Sequence, residues 1–220
     1  MIWDSLKLSL LIVSVATVII GTLGLALGLL LAKGRFPGRE LLASFFTLPL
    51  VLPPTVTGFY LIVLFGRHGL IGDPLYRLTN ITIAFTWQAA VIAAVVLALP
   101  LMVLSARAAI ESVNPQYELA SYTLGKSQLA TFFLITLPLA RGGILAGLVL
   151  SFTRALGEFG ATFMLAGNIP GKTQTMPLAI YEAVISGDDK RTQILALILT
   201  GISVLAVYLT SKLTKGALRY

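Results

Sequence analysis

Two residues of opposite charge, Arg154 and Glu158, stand in the largely apolar stretch from Leu129 to Leu165. Because they are four residues apart, they would share one face of a helix and could form an ion pair. If the stretch lies in a membrane, each charge costs ~2.5 to 3.5 kcal/mol or more at mid-bilayer, and such residues are functional by default. The pair therefore indicates a polar pathway or gate. The alternative is a salt bridge that only holds two helices together.

Three prolines interrupt a second apolar stretch, from Leu42 to Phe65. A proline inside a helix removes a backbone hydrogen bond and costs ~3 kcal/mol, so we expect a broken or kinked helix here. Carbonyl groups freed at membrane depth are tolerated only next to protein or a watery cavity, which makes this region a second candidate for pathway lining; the alternative is a packing kink. The candidate pathway or gate residues of the two stretches are Pro53, Pro54, Thr55, Thr57, Ser151, Arg154, Glu158 and Thr162.

The composition shows which environment must hold these residues. Of the 220 residues, 57% are hydrophobic and 11% are charged, and the mean hydropathy is +0.92, whereas soluble domains carry about 25% charged residues. Too few polar side chains remain to cover a water-exposed surface, so we predict an integral membrane protein surrounded by a lipid bilayer. The net charge of +7 is distributed between apolar runs, which argues against nucleic-acid binding. With no cysteine and His68 as the single histidine, we expect no disulfide and no metal site.

Apolar runs of about 20 residues are long enough to cross the hydrocarbon core of a membrane as helices. The predicted spans are 8–32, 42–65, 81–106, 138–165 and 192–211, all within one transmembrane domain of residues 1–220. The apolar piece from Met176 to Ile185 is too short to cross and is expected to be re-entrant or interfacial. The predicted fold class is therefore an all-α integral membrane protein with about five spans.

Two pairs of glycines, Gly24 with Gly28 and Gly143 with Gly147, have the G-x-x-x-G spacing. This spacing permits close contact between membrane helices. We interpret both pairs as packing positions, and one of them could lie at a dimer seam.

An odd number of spans places the two ends of the chain on opposite sides, and the positive-inside rule chooses the orientation. With the N-terminus outside, nine Lys and Arg residues fall on the cytoplasmic side and six on the other. The nine are Lys33, Arg35, Arg39, Arg107, Lys126, Arg141, Lys212, Lys215 and Arg219. We therefore predict an N-terminus outside and a C-terminus in the cytoplasm.

The longest hydrophilic stretch, from about 111 to 128, follows the third predicted span. Asn114-Pro115 suits the start of a helix, because proline fits the first turn, where its missing N–H is no loss. Gly125 suits the end, where a left-handed residue is favoured. The small residues Ala120 and Ser121 would let a soluble cytoplasmic protein approach closely. The alternative is an ordinary amphipathic loop helix.

The same stretch contains a loosened phosphate-binding-loop pattern, Ala120-x-x-x-x-Gly125-Lys126-Ser127. That loop needs a buried strand before it and a helix after it, so that backbone N–H groups cradle a phosphate. No strand is predicted here, and the chain leaves no room for a nucleotide-binding domain. We therefore interpret the match as coincidental and expect no ATP bound by this chain.

The residues from Gly125 onward resemble the cytoplasmic signature of type I ABC importer permeases, Gly-x9-Ile-x-Leu-Pro, with Ile135 and Leu137-Pro138 at the defined positions. The first half of that signature, Glu-Ala-Ala, departs, because Leu119 stands at the acidic position and Glu118 falls one residue early. Four further stretches are similar to molybdate-type permeases: KGRFPG at 33–38, LPLVLPPTVTGFY at 48–60, GRHGLIG at 66–72 and RALGEFGAT at 154–162. The likeness covers nearly the whole chain.

The resemblance implies a homodimer in the bacterial inner membrane, each subunit placing a cytoplasmic coupling helix in a cleft of one of two ABC ATPase subunits. Those ATPases would bind ATP and magnesium, and a periplasmic binding protein would deliver the oxyanion, which is molybdate or alternatively tungstate or sulfate. The coupling residues it implies are Tyr117, Glu118, Ala120, Ser121 and Gly125. Five helices also make too thin a wall for a dianion path, which independently calls for two copies.

Two other classes of protein compete with this interpretation. A self-sufficient channel or secondary transporter would show internal inverted repeats, and no clear repeat is present. A membrane enzyme ranks last, because no nucleophile and base are placed together at depth. We therefore expect a transport subunit that is not itself an enzyme.

Overall fold

The computed structural model describes the backbone of residues 2–217 and the side chains of residues 2–208 and Lys212. Every regular element in that part of the chain is helical, which confirms the predicted all-α fold. The α-helices are α1 (Ile2–Lys33), α2 (Arg39–Val51), α3 (Pro54–Phe65), α4 (Gly72–Thr79), α5 (Trp87–Glu111), α6 (Pro115–Thr123), α7 (Gln128–Thr131), α8 (Leu137–Leu156), α9 (Gly160–Ala166), α10 (Met176–Ile185) and α11 (Asp189–Ala217). A π-helical segment, Phe132–Thr136, joins α7 to α8. Arg219, counted above for orientation, lies outside the described residues, as does the Lys215 side chain.

Four helical stretches of the described chain are long and apolar enough to cross a membrane: α1, α5, the continuous run Gln128–Leu156 and the Asp189–Tyr208 part of α11. Helices α2 and α3 meet at a bend of 114° and make a fifth crossing if they count as one span. This agrees with the prediction of about five spans. Helix α10 extends over about 15 Å at 1.5 Å per residue, too short to cross, and it packs against α1 and α11.

The structure differs from two predicted spans at their ends. The third span, predicted at 81–106, is helical only from Trp87 to Glu111, because Thr86 caps the helix by accepting a hydrogen bond from the Ala89 N–H. The fourth, predicted at 138–165, is helical from Gln128 to Leu156, and the remainder forms the separate helix α9. Hydropathy is equally high in apolar helices and apolar connections, so it does not separate them.

Helix α5 forms the centre of the core and packs against both α1 and α8. Glycines make these contacts close: a Cβ at Gly28 would lie 2.6 Å from Ala106 Cβ, and one at Gly143 would lie 2.6 Å from Ala109 Cβ. Both G-x-x-x-G pairs therefore pack against α5 within one chain, as expected for packing positions.

Four charged residues join the start of α2 to the end of α5. Arg39 Nη2 lies 2.7 Å from Glu111 Oε1, and Arg107 Nη2 lies 2.8 Å from Glu40 Oε1. Exposed ion pairs of this kind contribute little to stability. They show that the residues predicted to be cytoplasmic at these two helix ends lie together on one side of the bundle.

Candidate functional site

The hydrophilic stretch folds into α6, as predicted. The Asn114 side chain accepts a hydrogen bond from the Gln116 N–H at 3.0 Å, and Pro115 occupies the first turn. After the helix, Gly125 adopts φ +76°, a left-handed conformation that other side chains disfavour. A Cβ at Gly125 would meet no atom within 4 Å, so backbone conformation alone accounts for the glycine.

The inner face of α6 is held to the bundle by polar contacts. The Glu118 side chain is buried, with the residue 9% exposed, and its two carboxylate oxygens accept hydrogen bonds from Lys33 Nζ at 2.7 Å and from Thr136 Oγ1 at 2.5 Å. The hydroxyls of Ser121 and Thr131, also buried, lie 2.8 Å apart. Two of the five residues implied for coupling, Glu118 and Ser121, therefore face their own chain.

The contacts of Glu118 keep it ionised. Burial alone would raise the pKa of this carboxyl, because it disfavours the charged form. The hydrogen bonds from Lys33 and Thr136, together with the positive charge of Lys33, outweigh burial and hold the pKa below its ordinary value. At neutral pH the group is therefore a carboxylate paired with an ammonium.

The outer face of α6 is apolar and open. Tyr117 is 56% exposed, Leu124 is 78% exposed, and Ala120 between them is exposed as well. These side chains form one wall of a groove of about 470 Å³. The other residues that line it are Ser121, Lys126, Leu134, Ile135, Pro138 and Leu139. Both halves of the permease signature line this groove, because Ala120 belongs to the first half and Ile135 and Pro138 belong to the second.

The groove is completed by a π-helical segment that the sequence pattern did not predict. Pro138 has no N–H, and in an α-helix its ring would clash with the carbonyl of residue 134. The backbone widens by one residue instead, and the Leu137 N–H donates to the Phe132 carbonyl five residues earlier. Pro138 is the signal for this departure, and π-turns of this kind are frequent at functional sites.

The helix break predicted around the prolines lies between α2 and α3. Helix α2 ends at Val51, Pro53 caps α3, and Pro54 occupies its first turn. Pro53, Pro54 and Thr55 are exposed in the single chain, whereas Thr57 is buried with no hydrogen-bond partner for its hydroxyl among the described residues. The predicted break in the helix is confirmed.

A second break separates α8 from α9 and contains Glu158. Arg154 Nη1 donates to Glu158 Oε2 at 2.7 Å, and Glu158 Oε1 accepts from the Ala161 N–H at 2.8 Å. The predicted ion pair is therefore present, but α8 ends at Leu156, so the two residues do not share one helical face and that part of the prediction is corrected. The Glu158 carboxylate instead links the end of α8 to the first turn of α9.

The two breaks lie against each other. A Cβ at Gly160, the first residue of α9, would be 3.0 Å from Pro54 Cβ and 3.4 Å from the Thr55 nitrogen. A Cβ at Gly58 on α3 would be 2.8 Å from Ala161 Cα, so the two short helices pack closely. Residues predicted from two distant stretches of sequence thus meet at one place in the bundle.

Other polar residues surround this place. Glu158 and Thr162 line a small cavity of about 10 Å³ together with Ser9 and Thr175, and the Thr175 hydroxyl has no partner among the described residues. Ser9 and Thr175 were missed in the sequence, although Ser9 is a polar interruption of the first apolar run. Ser151 is buried elsewhere on α8, and its hydroxyl donates to the Gly147 carbonyl at 2.8 Å.

The part of the chain that the structure describes holds no group of three or more His, Cys, Asp or Glu side chains that could bind a metal ion. The loosened phosphate-loop pattern begins inside α6, at Ala120, with no strand before it in the described chain, and its residues Gly125 to Ser127 connect α6 to α7. The arrangement offers an apolar groove at one place and a paired charge at a helix break at another.

Residues 24–217 match the family of binding-protein-dependent transport system inner membrane components. The chain belongs to this family. As a member, it is a multi-pass inner-membrane protein and a transport subunit, and the resemblance to ABC importer permeases is confirmed.

Two curated members of this inner-membrane family show its range. The chain is 47% identical over 182 residues to the molybdenum transport system permease protein ModB of Escherichia coli K12, which covers 83% of this chain and 80% of that protein. It is 36% identical over 211 residues to the sulfate transport system permease protein CysW of Synechococcus elongatus, and the match covers 96% of this chain and 73% of that protein. The fold is similar to that of the inward-facing MetNI methionine ABC transporter, with a TM-score of 0.76, 15% identity, and coverage of 99% of this chain and 94% of that one.

Proposed function

We propose that this inner-membrane component is the permease subunit of an ATP-driven bacterial importer of molybdate. The assignment of molybdate as the substrate rests on the 47% identity to ModB over 83% of the chain. Sulfate is the second candidate, favoured by the 36% identity to CysW over 96% of the chain. Tungstate is a tetrahedral dianion of similar shape and remains an alternative cargo of the same site.

The working assembly contains two copies of this chain, two cytoplasmic ABC ATPase subunits and a periplasmic oxyanion-binding protein. The ATPases bind ATP and magnesium, and this chain binds neither. The apolar outer face of α6, with Tyr117 and Ala120 exposed, supports the ATPase contact, because exposed apolar side chains on a cytoplasmic helix are suited to pack against a protein partner. The chain then lies with its N-terminus outside and its C-terminus in the cytoplasm, on the same side as α6.

Movement of α6 couples ATP binding to transport. When ATP draws the two ATPases together, each carries the α6 that it grips, and the membrane halves rock as rigid bodies. Helix α6 is joined to α5 by residues 112–114 and to α7 by residues 124–127, so it cannot move far without its neighbours. Gly125 ends the helix in a left-handed conformation and directs the chain toward α7.

The substrate pathway passes the region where the two breaks meet. The Arg154 side chain is 30% exposed in one chain and is available to a dianion between two subunits. Glu158, which is 3% exposed, neutralises most of its charge, so the net attraction is weak and the anion is released readily. Pro53, Pro54 and Thr55 supply the exposed bend beside it, whereas Thr57, Ser151 and Thr162 are buried and support it from behind.

Reconstitution tests this proposal. The purified complex in proteoliposomes, with the ATPase, ATP and the binding protein, should accumulate labelled molybdate, and unlabelled molybdate should compete better than sulfate. Preferential competition by sulfate would favour the second candidate. Entry of the anion at the same rate without ATP would reject the proposal in favour of a channel.

A further inference from the structure

Glu118 connects α6 to two membrane-spanning helices at the same time. One carboxylate oxygen accepts a hydrogen bond from Lys33, the last residue of α1, at 2.7 Å. The other accepts from Thr136, the last residue of the π-helical segment that leads into α8, at 2.5 Å. The partners lie 85 and 18 residues away in sequence, so one side chain joins three elements that are distant in the chain.

This contact differs from the other ion pairs at the same end of the bundle. The side chains of Glu40 and Glu111 are 73% and 41% exposed, whereas that of Glu118 is 12% exposed. A charge-assisted hydrogen bond is worth more when water is excluded from the acceptor. Lys33 and Thr136 together use both oxygens of Glu118, which fixes the orientation of the carboxylate plane relative to both partners.

We propose that Glu118 is a positioning residue for coupling, because it clamps α6 to α1 and to the π-helical segment so that all three move as one body. This inference rests on the proposed function, in which an ATPase displaces α6. Without the clamp, α6 would keep its two short connections and the hydroxyl contact between Ser121 and Thr131, which is a neutral hydrogen bond. Force applied to α6 would then bend the connections before it reached the spans.

The proposal explains why the acidic residue stands one position earlier than the permease signature suggests. At position 118 the side chain points into the bundle, and Leu119, at the expected acidic position, is 60% exposed. The acidic residue of α6 therefore makes an internal contact, and the outer face of the helix has no carboxylate.

The first test measures transport and ATP hydrolysis together in proteoliposomes that hold the full complex. Glu118→Gln keeps the shape of the side chain and removes its charge. We expect the variant to bind the ATPase and hydrolyse ATP, while the molybdate transported per ATP falls about fivefold, the scale expected for loss of one charge-assisted hydrogen bond to a partly exposed lysine. The matched control is Glu111→Gln, which breaks the exposed ion pairs of Glu111 with Arg39 of α2 and Arg107 of α5 and should leave the ratio unchanged.

A charge exchange distinguishes positioning from simple structural support. The double variant with Lys33→Glu and Glu118→Lys restores an ion pair between α1 and α6 and should recover much of the lost transport per ATP. If Glu118→Gln fails to assemble with the ATPase, Lys33→Met provides the same test from α1 without altering α6. A normal ratio in Lys33→Met or in Glu118→Gln would overturn the proposal.

A distance measurement tests the rigid connection directly. The chain has no cysteine, so spin labels can be attached at Leu30→Cys on α1 and Thr123→Cys on α6, both exposed positions. In the unaltered background the distance between the labels should be the same without nucleotide and with ATP bound, and Glu118→Gln should make it change or broaden. A shift of equal size in both backgrounds would overturn the clamp. Failure of the unaltered complex to transport with ATP would instead reject the proposed function.

Discussion

Replacement of Glu158 tests what the ion pair at the break between α8 and α9 contributes. Glu158→Ala would leave Arg154 without its partner and the Ala161 N–H without its acceptor. Removing one member of a buried pair costs ~3 to 5 kcal/mol, and the 30% exposure of the Arg154 side chain places this case near 3 kcal/mol. Glu158→Gln keeps an acceptor for Ala161 and should cost about half as much. Combining Arg154→Gln with Glu158→Gln leaves no uncompensated charge and should cost only about 1 kcal/mol.

Thermal unfolding of the purified permease in detergent measures this order. The control is Asp73→Asn, which breaks an exposed pair with Arg77 of the same four-residue spacing on α4 and should cost about 0 to 1 kcal/mol. Uptake is measured on the same preparations. The double variant, although nearly as stable as the unaltered protein, should lose about tenfold in molybdate uptake, because a charged donor to the dianion is gone.

The two measurements separate two roles for the pair. If the double variant takes up molybdate at the unaltered rate, the pair only holds helices together and the proposed pathway is wrong. If Glu158→Ala unfolds at the same temperature as the unaltered protein, the Glu158 carboxylate does not support the break in the way described. Either result would refute part of the reasoning.

Three further predictions concern other parts of the chain. Gly28→Val would press on Ala106 and on the Arg107 backbone and should lower stability by about 1 to 3 kcal/mol in a thermal unfolding measurement, whereas Gly201→Ala, with no atom within 4 Å, should be neutral or slightly stabilising. Leu124→Asp, at the exposed position directly after α6, should abolish co-purification of the ATPase without changing the unfolding temperature, and Leu78→Asp, similarly exposed on α4, should not affect that co-purification. Because the fold lowers the pKa of Glu118, the stabilisation that this carboxylate contributes should be complete above the ordinary carboxyl pKa and be lost as the pH falls through the lowered pKa. Glu118→Gln should therefore remove this part of the acid dependence of the unfolding temperature. An unchanged dependence of the unfolding temperature on acid pH would contradict the lowered pKa of Glu118.

Length and apolar composition were enough to predict the class of fold. The first apolar run and the break at the prolines follow from physical limits, since a long uncharged run is expected to cross the membrane and the adjacent Pro53 and Pro54 disfavour a continuous helix. A single proline was not enough to predict a break, because Pro49 lies inside α2. Helix α6 was also predictable, because Asn114 and Gly125 carry capping preferences that depend on local conformation alone.

Features that depend on contacts between distant residues could not be predicted from the local sequence pattern. Ile81 to Phe85 are as apolar as a span, and their hydropathy does not reveal that the helix begins only after Thr86. The spacing of Arg154 and Glu158 fits a continuous helix, and nothing in that spacing reveals the end of α8 at Leu156. The inward direction of Glu118 depends on Lys33, 85 residues earlier, which no local pattern connects to it.

The most direct test of the central claim is the accessibility of α6 in membranes. Since the chain has no cysteine, the variant Ala120→Cys offers a single thiol on the exposed face of α6, and a membrane-impermeant maleimide reports which side of the membrane it faces. We predict labelling from the cytoplasmic side only, and protection of the thiol when the ATPase is bound. Labelling from the outside of intact cells, or labelling unaffected by the ATPase, would contradict the coupling of this permease to an ATP-driven partner.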